Sequence, residues 1–218
     1  DSLAGFDVPL SVMQTSESLE RIAYELAEDA ASENVRYMEV RYCPALHTRD
    51  GLGLEETVDA PLRGLLRAEE EFGIRTALIV CALRHLDPAT SLEMAELAVG
   101  YKDRGVVALD LAGGEDGNPA VEHREAFDLA VRHDLATTVH AGEAAGPESI
   151  RQALHACHAR RIGHGTRLFE DDSLMGYVND FRVPLEINLT SNVQTRVVDD
   201  LASHPARLYY DEGLVVTL

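Results

Sequence analysis

Basic residues are scarce in this chain. Lysine and arginine together number 19 against 38 aspartates and glutamates, a formal net charge of −19 over 218 residues. Nucleic acids and anionic membranes are bound by Lys and Arg neutralising phosphate, so neither is expected as a partner, while small neutral ligands stay open. Cysteine is as sparse. Cys43, Cys81 and Cys157 are odd in number and far apart, which reads as buried reduced thiols and fits a cytoplasmic protein. No run is long and apolar enough to cross a membrane, and the N-terminus lacks a basic-then-apolar signal pattern. No Pro-Cys-x-x-Cys is present, which excludes the cysteine-ligated zinc deaminases. No Gly-x-Gly-x-x-Gly opens a helix after a strand, which weighs against a dinucleotide-binding sheet.

What is present concentrates between Leu135 and Thr166. Ala136-Thr137-Thr138-Val139-His140-Ala141-Gly142-Glu143 is a β-branched run stopping at His140, and Arg161-Ile162-Gly163-His164-Gly165 stops at His164. Between them, 147–160 reads as a helix from Pro147 in its first turn and apolar Ile150, Ala153, Leu154 and Cys157 at helical spacing. The unit is βαβ, and both histidines fall at the carboxyl ends of strands, the edge where parallel α/β folds build active sites. His140 offers a metal-binding imidazole, Glu143 a carboxyl group past a glycine that lets the backbone turn, and His164 an imidazole between glycines that permit close approach. Any one of these alone reads as a hydrogen-bonded strand-end residue. Three on one edge point to metal-assisted hydrolysis.

The whole chain alternates in this way. Strands are expected over 35–43, 74–83, 106–111, 136–140, 161–165, 183–189 and 214–218. Helices are expected over 18–32, 54–72, 88–104, 119–133, 147–160, 169–180 and 204–212. Seven strands without a hairpin signal give a parallel α/β sheet, doubly wound or closed as a (β/α)8 TIM barrel. Polar residues at most strand carboxyl ends (Arg84, His85, Asp110, His140, His164, Asn188) favour the barrel, which gathers them around one mouth. Residues 1–218 are expected to form one domain holding about seven of eight βα units. Asp1 is no initiator methionine and Leu218 falls inside an apolar strand, so the domain reads as incomplete at both ends; such barrels run to about 250 residues.

The segments MEVRYCP (38–44), DLAGGE (110–115), TVHAGE (138–143), RIGHGTRL (161–168) and LTSNVQT (189–195) resemble, in order and spacing, the bacterial adenosine deaminases of the metal-dependent hydrolase superfamily. The resemblance implies zinc-dependent hydrolytic deamination of adenosine and 2'-deoxyadenosine to inosine plus ammonia, in purine salvage. It makes His140 a ligand of one Zn2+ per subunit. Glu143 would protonate a purine ring nitrogen, His164 would orient and help activate the zinc-bound hydroxide, and the Gly113 backbone would bind another ring nitrogen. Glu143 must then hold its proton, so burial is expected to raise its pKa.

Two family motifs are absent from 1–218: a His-x-His pair at the end of the first strand and an aspartate just after the strand matched by LVVTL. The remaining zinc ligands are therefore expected outside this chain, which by itself should be a poor enzyme. Gly114 stands where many relatives carry an acidic residue. The alternatives are an adenine or N6-substituted adenine nucleotide deaminase of the same fold, with Arg84 and Arg167 as weak phosphate candidates, or a truncated, non-catalytic purine-binding relative. Asp110 and Glu115 are expected to fix the Gly113 loop. Thr190, Ser191 and Asn192 are expected to end a strand, as turn formers or as support for the metal site. His47, His123, His133, His155, His158 and His204 are expected at the surface or at helix ends.

Overall fold

The computed structural model describes residue 5 and residues 7–217, which form two compact units, 1–81 with 97–108 and 82–96 with 109–218. In chain order the elements are α1 (Asp7–Val12), α2 (Ser16–Ser32), β1 (Tyr37–Tyr42), α3 (Glu56–Phe72), β2 (Arg75–Leu83), α4 (Pro88–Gly100), β3 (Val106–Ala112) and α5 (Arg124–Arg132). They continue as β4 (Ala136–Ala141), α6 (Pro147–His155), β5 (Arg161–His164), α7 (Asp172–Asp180), β6 (Leu185–Glu186), α8 (Leu189–Gln194), α9 (Ala206–Asp211) and β7 (Val216–Thr217). One seven-stranded sheet runs β1 to β7 in chain order. A doubly wound sheet reverses its order at a switch point. This one does not, and the strands are parallel, as in a (β/α)8 barrel with seven of its eight strands.

In the first unit, α2 buries Leu19, Ala23 and Ala27, and α3 buries Val58, Leu65 and Ala68. The two helices meet at Gly64, where an added Cβ would lie 2.1 Å from the Glu20 carbonyl oxygen. α3 also carries Pro61 in its interior. Proline has no N–H to return to the carbonyl four residues back. That carbonyl belongs to Thr57, and the buried Tyr42 hydroxyl donates to it instead. Tyr42→Phe is therefore expected to cost about 1–3 kcal/mol, the range for an unsatisfied buried polar group. An unchanged urea midpoint would show that the proline site needs no such donor.

The second unit holds the core of the βαβ unit. Phe127, Val139, Ile150, Ile162, Leu168 and Tyr209 are fully buried there. The β4–β5 register pairs Thr138 with Arg161 and His140 with Gly163. Glycine at 163 is a packing requirement, since a Cβ would stand 3.1 Å from the His140 ring.

Several expected elements change length. The helix expected over 147–160 ends at His155, and those expected over 119–133 and 169–180 open with single 3-10 turns, Ala120–His123 and Leu168–Glu170. The strand expected over 183–189 pairs only over Leu185–Glu186; Leu189 starts α8, so Thr190, Ser191 and Asn192 lie on a helix rather than in a turn. Asn192 is buried against β5 side chains that its own sequence neighbourhood does not show. Three of the histidines expected at helix ends are not surface groups: His47, His123 and His204 are buried, each hydrogen-bonded at the end of a helix.

All three cysteines are buried and unbridged. Burial pushes the Cys43 thiol up to about 11 and the Cys157 thiol up to about 12. Thiolate is the reactive form. Neither thiol should react with iodoacetamide at pH 8 until denaturant is added, and labelling of the native protein at either position, read by mass spectrometry, would contradict this burial.

Candidate active site

His140, Glu143 and His164 converge within the second unit. His140 lies one residue before the end of β4 and is half-buried; its Nδ1 lies 3.1 Å from Oδ2 and 3.2 Å from Oδ1 of Asp110, a fully buried residue on β3. A buried carboxylate on one imidazole nitrogen fixes the ring and leaves ligation to the other, which is how metal-bound histidines are held. The His140 and His164 rings are 5.3 Å apart between centroids. Glu143 Oε2 stands 3.7 Å from His164 Nε2, too long for a hydrogen bond and short enough for both groups to face one small substrate.

Burial pushes the Glu143 carboxyl above its ordinary range, with the Glu115 carboxylate adding to this and His140 opposing it. The direction of that shift is the one expected of a carboxyl that is to act as an acid.

The glycines around these groups are there for space. Gly142 has φ +70 and its Cβ would sit 2.5 Å from Ile150 Cδ1; Gly165 has φ +62 and would meet Leu185 at 2.9 Å. His164 itself has φ +66, a left-handed backbone that side chains other than glycine rarely adopt and that surrounding contacts must hold. Those contacts come from two carboxamides: Asn192 Nδ2 is 2.9 Å and Asn188 Nδ2 3.4 Å from His164 Nδ1. The turn that follows is pinned by the buried Tyr209 hydroxyl, 3.0 Å from the Gly165 carbonyl and 2.9 Å from that of Thr166. Gly113 has φ +93 and lies against His85, whose Nδ1 would be 2.7 Å from an added Cβ; at Gly114 an added Cβ would meet nothing within 4 Å.

Two carboxylates do more than the sequence indicated. Asp110 holds His140. Glu115, also buried, reaches the loop after β4. Its Oε1 accepts from Gly142 N at 2.7 Å and from the Ser149 hydroxyl; its Oε2 accepts from the N–H groups of Glu143, Ala144 and Ala145 at 3.0, 2.7 and 2.8 Å. One carboxylate therefore shapes the segment that carries Glu143, at the start of α6. The only cue in the sequence was an acidic residue closing a glycine loop, and nothing in that cue says which backbone it will reach.

Arg84 is corrected as well. Its side chain is buried, with Nη1 on the Asn118 carbonyl at 3.0 Å and Nη2 on the His140 carbonyl, while its own carbonyl accepts from His123 Nε2 at 3.1 Å. Arg167 is paired with Glu170 at 2.7 Å and donates to the Ala144 carbonyl at 2.8 Å. Arg84 is thus buried and directed at backbone carbonyls, with its Nε left without a hydrogen bond among the described residues, whereas Arg167 stays partly exposed beside Glu170.

Among the described residues no group of three His, Cys, Asp or Glu side chains is placed to hold a metal. His140 with its Asp110 partner fits a single ligand position, and one imidazole does not hold zinc as three or four ligands do.

The family model for adenosine deaminase matches residues 1–218. Curated adenosine deaminases from Clostridium kluyveri and Mycobacterium avium are 38% and 42% identical over 98% and 93% of this chain. The chain spans 61% and 60% of those two proteins. Among solved structures, an adenine deaminase from Arthrobacter aurescens superposes with a TM-score of 0.91 at 31% identity, covering 99% of this chain and 67% of its own. An Arabidopsis N6-mAMP deaminase follows at 0.90 and 28% identity, with 100% and 66% covered. An amidohydrolase from Burkholderia ambifaria with bound Zn scores 0.88 at 26% identity, with 93% and 57% covered. The match over every residue, together with the placement of His140, Glu143 and His164 at one edge of a sequence-ordered parallel sheet, makes this chain a member of the adenosine deaminase family.

Proposed function

We propose that the protein carrying this chain hydrolyses the exocyclic amino group of adenosine and 2'-deoxyadenosine, giving inosine or deoxyinosine plus ammonia, within purine salvage. The observation that carries the reading is a half-buried carboxyl with a raised pKa, Glu143, facing His164 beside an imidazole oriented by Asp110. Zinc is the metal proposed, with His140 as one ligand and the others expected outside residues 1–218; bound zinc would supply an activated water near neutral pH. Protonated Glu143 donates to a purine ring nitrogen as water adds to the neighbouring carbon, which neutralises the charge building on the ring. The Gly113 N–H donates to a second ring nitrogen. His164 orients the attacking oxygen.

Adenine and N6-substituted adenine nucleotides are the competing substrates, since relatives of similar fold are named for each. The commitment of Arg84 and Arg167 to protein carbonyls and to Glu170 favours a substrate without phosphate.

The test starts with the coding DNA on both sides of residues 1–218, followed by ammonia release from the whole reading frame with adenosine, 2'-deoxyadenosine, adenine and N6-methyl-AMP. The reading expects a strand ending in His-x-His upstream, an aspartate motif downstream and the highest kcat/KM on adenosine, abolished by a chelator and restored by zinc. Preference for adenine or the nucleotide selects the alternatives. No release from any of the four leaves a non-catalytic purine binder.

A further inference from the structure

The hydrogen bonds behind His164 have only one consistent direction. They start at the Ala206 backbone N–H, which can only donate, 3.0 Å from His204 Nδ1. His204 Nδ1 is therefore an acceptor, and the neutral ring carries its proton on Nε2. His204 is buried, which lowers its pKa and keeps it neutral. Its Nε2 lies 3.0 Å from Asn192 Oδ1 and donates to it, and the Thr166 hydroxyl donates to the same oxygen at 3.1 Å. An Asn192 amide turned the other way would set its NH2 against the N–H of His204, so the orientation is settled by chemistry. Asn192 Nδ2 then donates to His164 Nδ1 at 2.9 Å. Asn188 agrees independently: its Nδ2 donates to the Glu186 carbonyl at 3.1 Å, which fixes that amide too, and the same nitrogen faces His164 Nδ1 at 3.4 Å. Every polar group facing that nitrogen in these contacts is a donor.

We infer that His204 and Asn192 are positioning residues which lock His164 as the Nε2–H tautomer, so that its ring presents an N–H, and not a lone pair, to Glu143 and to the reacting centre. The consequence rests on the role proposed above for His164: the ring holds the attacking oxygen by donating a hydrogen bond and does not take its proton. Asn192 is buried in α8, 28 residues from His164, and His204 precedes α9. The short helix α8, whose buried residue is Asn192, thereby has a task at the site. The left-handed backbone of His164 follows from the same clamp, since it brings Nδ1 to the two carboxamides.

The test is long-range 1H–15N correlation on the full 218-residue chain labelled in histidine and free of added metal, at pH 8, with His164 assigned by loss of its signals in His164→Gln. The expected result is a protonated Nε2 and a bare Nδ1 at His164, and the same tautomer at His204. Asn192→Asp keeps the shape of the side chain but presents only acceptor oxygens, so the proton should move to His164 Nδ1. In the whole enzyme the same variant should lower kcat about 10²–10⁴-fold, the range for losing a correctly protonated catalytic group, with little change in KM. His204→Leu should loosen the preference and His204→Gln, which keeps a donor and an acceptor, should restore it. A protonated Nδ1 at His164 in the unaltered protein, or a tautomer unmoved by Asn192→Asp, overturns the inference. Absence of deamination with the expected tautomer in place instead overturns the proposed function alone, so the two failures are distinguishable.

Discussion

Glu143→Gln is expected to reduce kcat/KM for adenosine by about 10²–10⁴-fold, the usual contribution of a positioned general acid. Glutamine keeps the volume and can still hydrogen-bond a ring nitrogen, but it has no proton to give. The loss should therefore fall on kcat, with KM nearly unchanged. The fold should survive, because glutamine keeps the shape of the side chain and the backbone N–H of this residue still donates to Glu115. Burial pushes this carboxyl upward, and Glu143→Asp, with a carboxyl drawn back from the ring nitrogen by one methylene, should also be weak although it retains an acid. Turnover of Glu143→Gln within a few-fold of the unaltered enzyme would remove Glu143 as the proton donor and return the acid role to another group at the same edge.

The sequence was most readable where local chemistry and position coincide. β4 and β5 could be placed to within a residue because β-branched and apolar runs end at histidine and glycine, and both histidines then had to lie at strand carboxyl ends. Alternation gave the parallel sheet, and the polar residues at the strand carboxyl ends chose the barrel over the doubly wound alternative. What could not be read were contacts made across large sequence separations. Asp110 supports His140 from 30 residues away, Glu115 binds the loop after β4 from 27 to 30 residues away, and Asn192 reaches His164 from 28. A side chain's partner in such a pair is chosen by strand register and loop path, neither of which leaves a periodic signal. α8 was missed for a related reason. Thr, Ser and Asn are weak helix formers that favour turns, and tertiary contacts at Asn192 override that preference. Arg84 was misjudged because a strand-end arginine looks like an anion binder, whereas its depth in the sheet sends it to carbonyl oxygens.

Glu115→Ala carries the largest expected cost to stability. The substitution removes the acceptor for four backbone N–H groups and the Ser149 hydroxyl at once. A stranded buried donor costs about 1–3 kcal/mol. Because the loop can rotate some of these donors toward water, their sum is an upper bound. A loss of about 3–5 kcal/mol, the range for breaking a buried ionic contact from one side, is expected, since the buried Arg84 guanidinium also loses its main compensating carboxylate. That is a large part of the ~5–15 kcal/mol a domain usually has. Glu115→Gln should cost less, for it keeps one oxygen and turns an NH2 group against the remaining donors. Urea titration gives the totals, and amide exchange at Gly142, Glu143, Ala144 and Ala145 gives their location. Faster exchange confined to those four amides, with the urea midpoint barely moved, would mean that Glu115 shapes the loop locally and that the unit is held elsewhere. Exchange unchanged at all four would mean the loop keeps its form without the carboxylate, and the orientation of Glu143 would then need another cause. If both stability and protection fall together, the loop carrying the acid and the core beneath it belong to one cooperative unit, and the acid is placed by the same contacts that keep the chain folded.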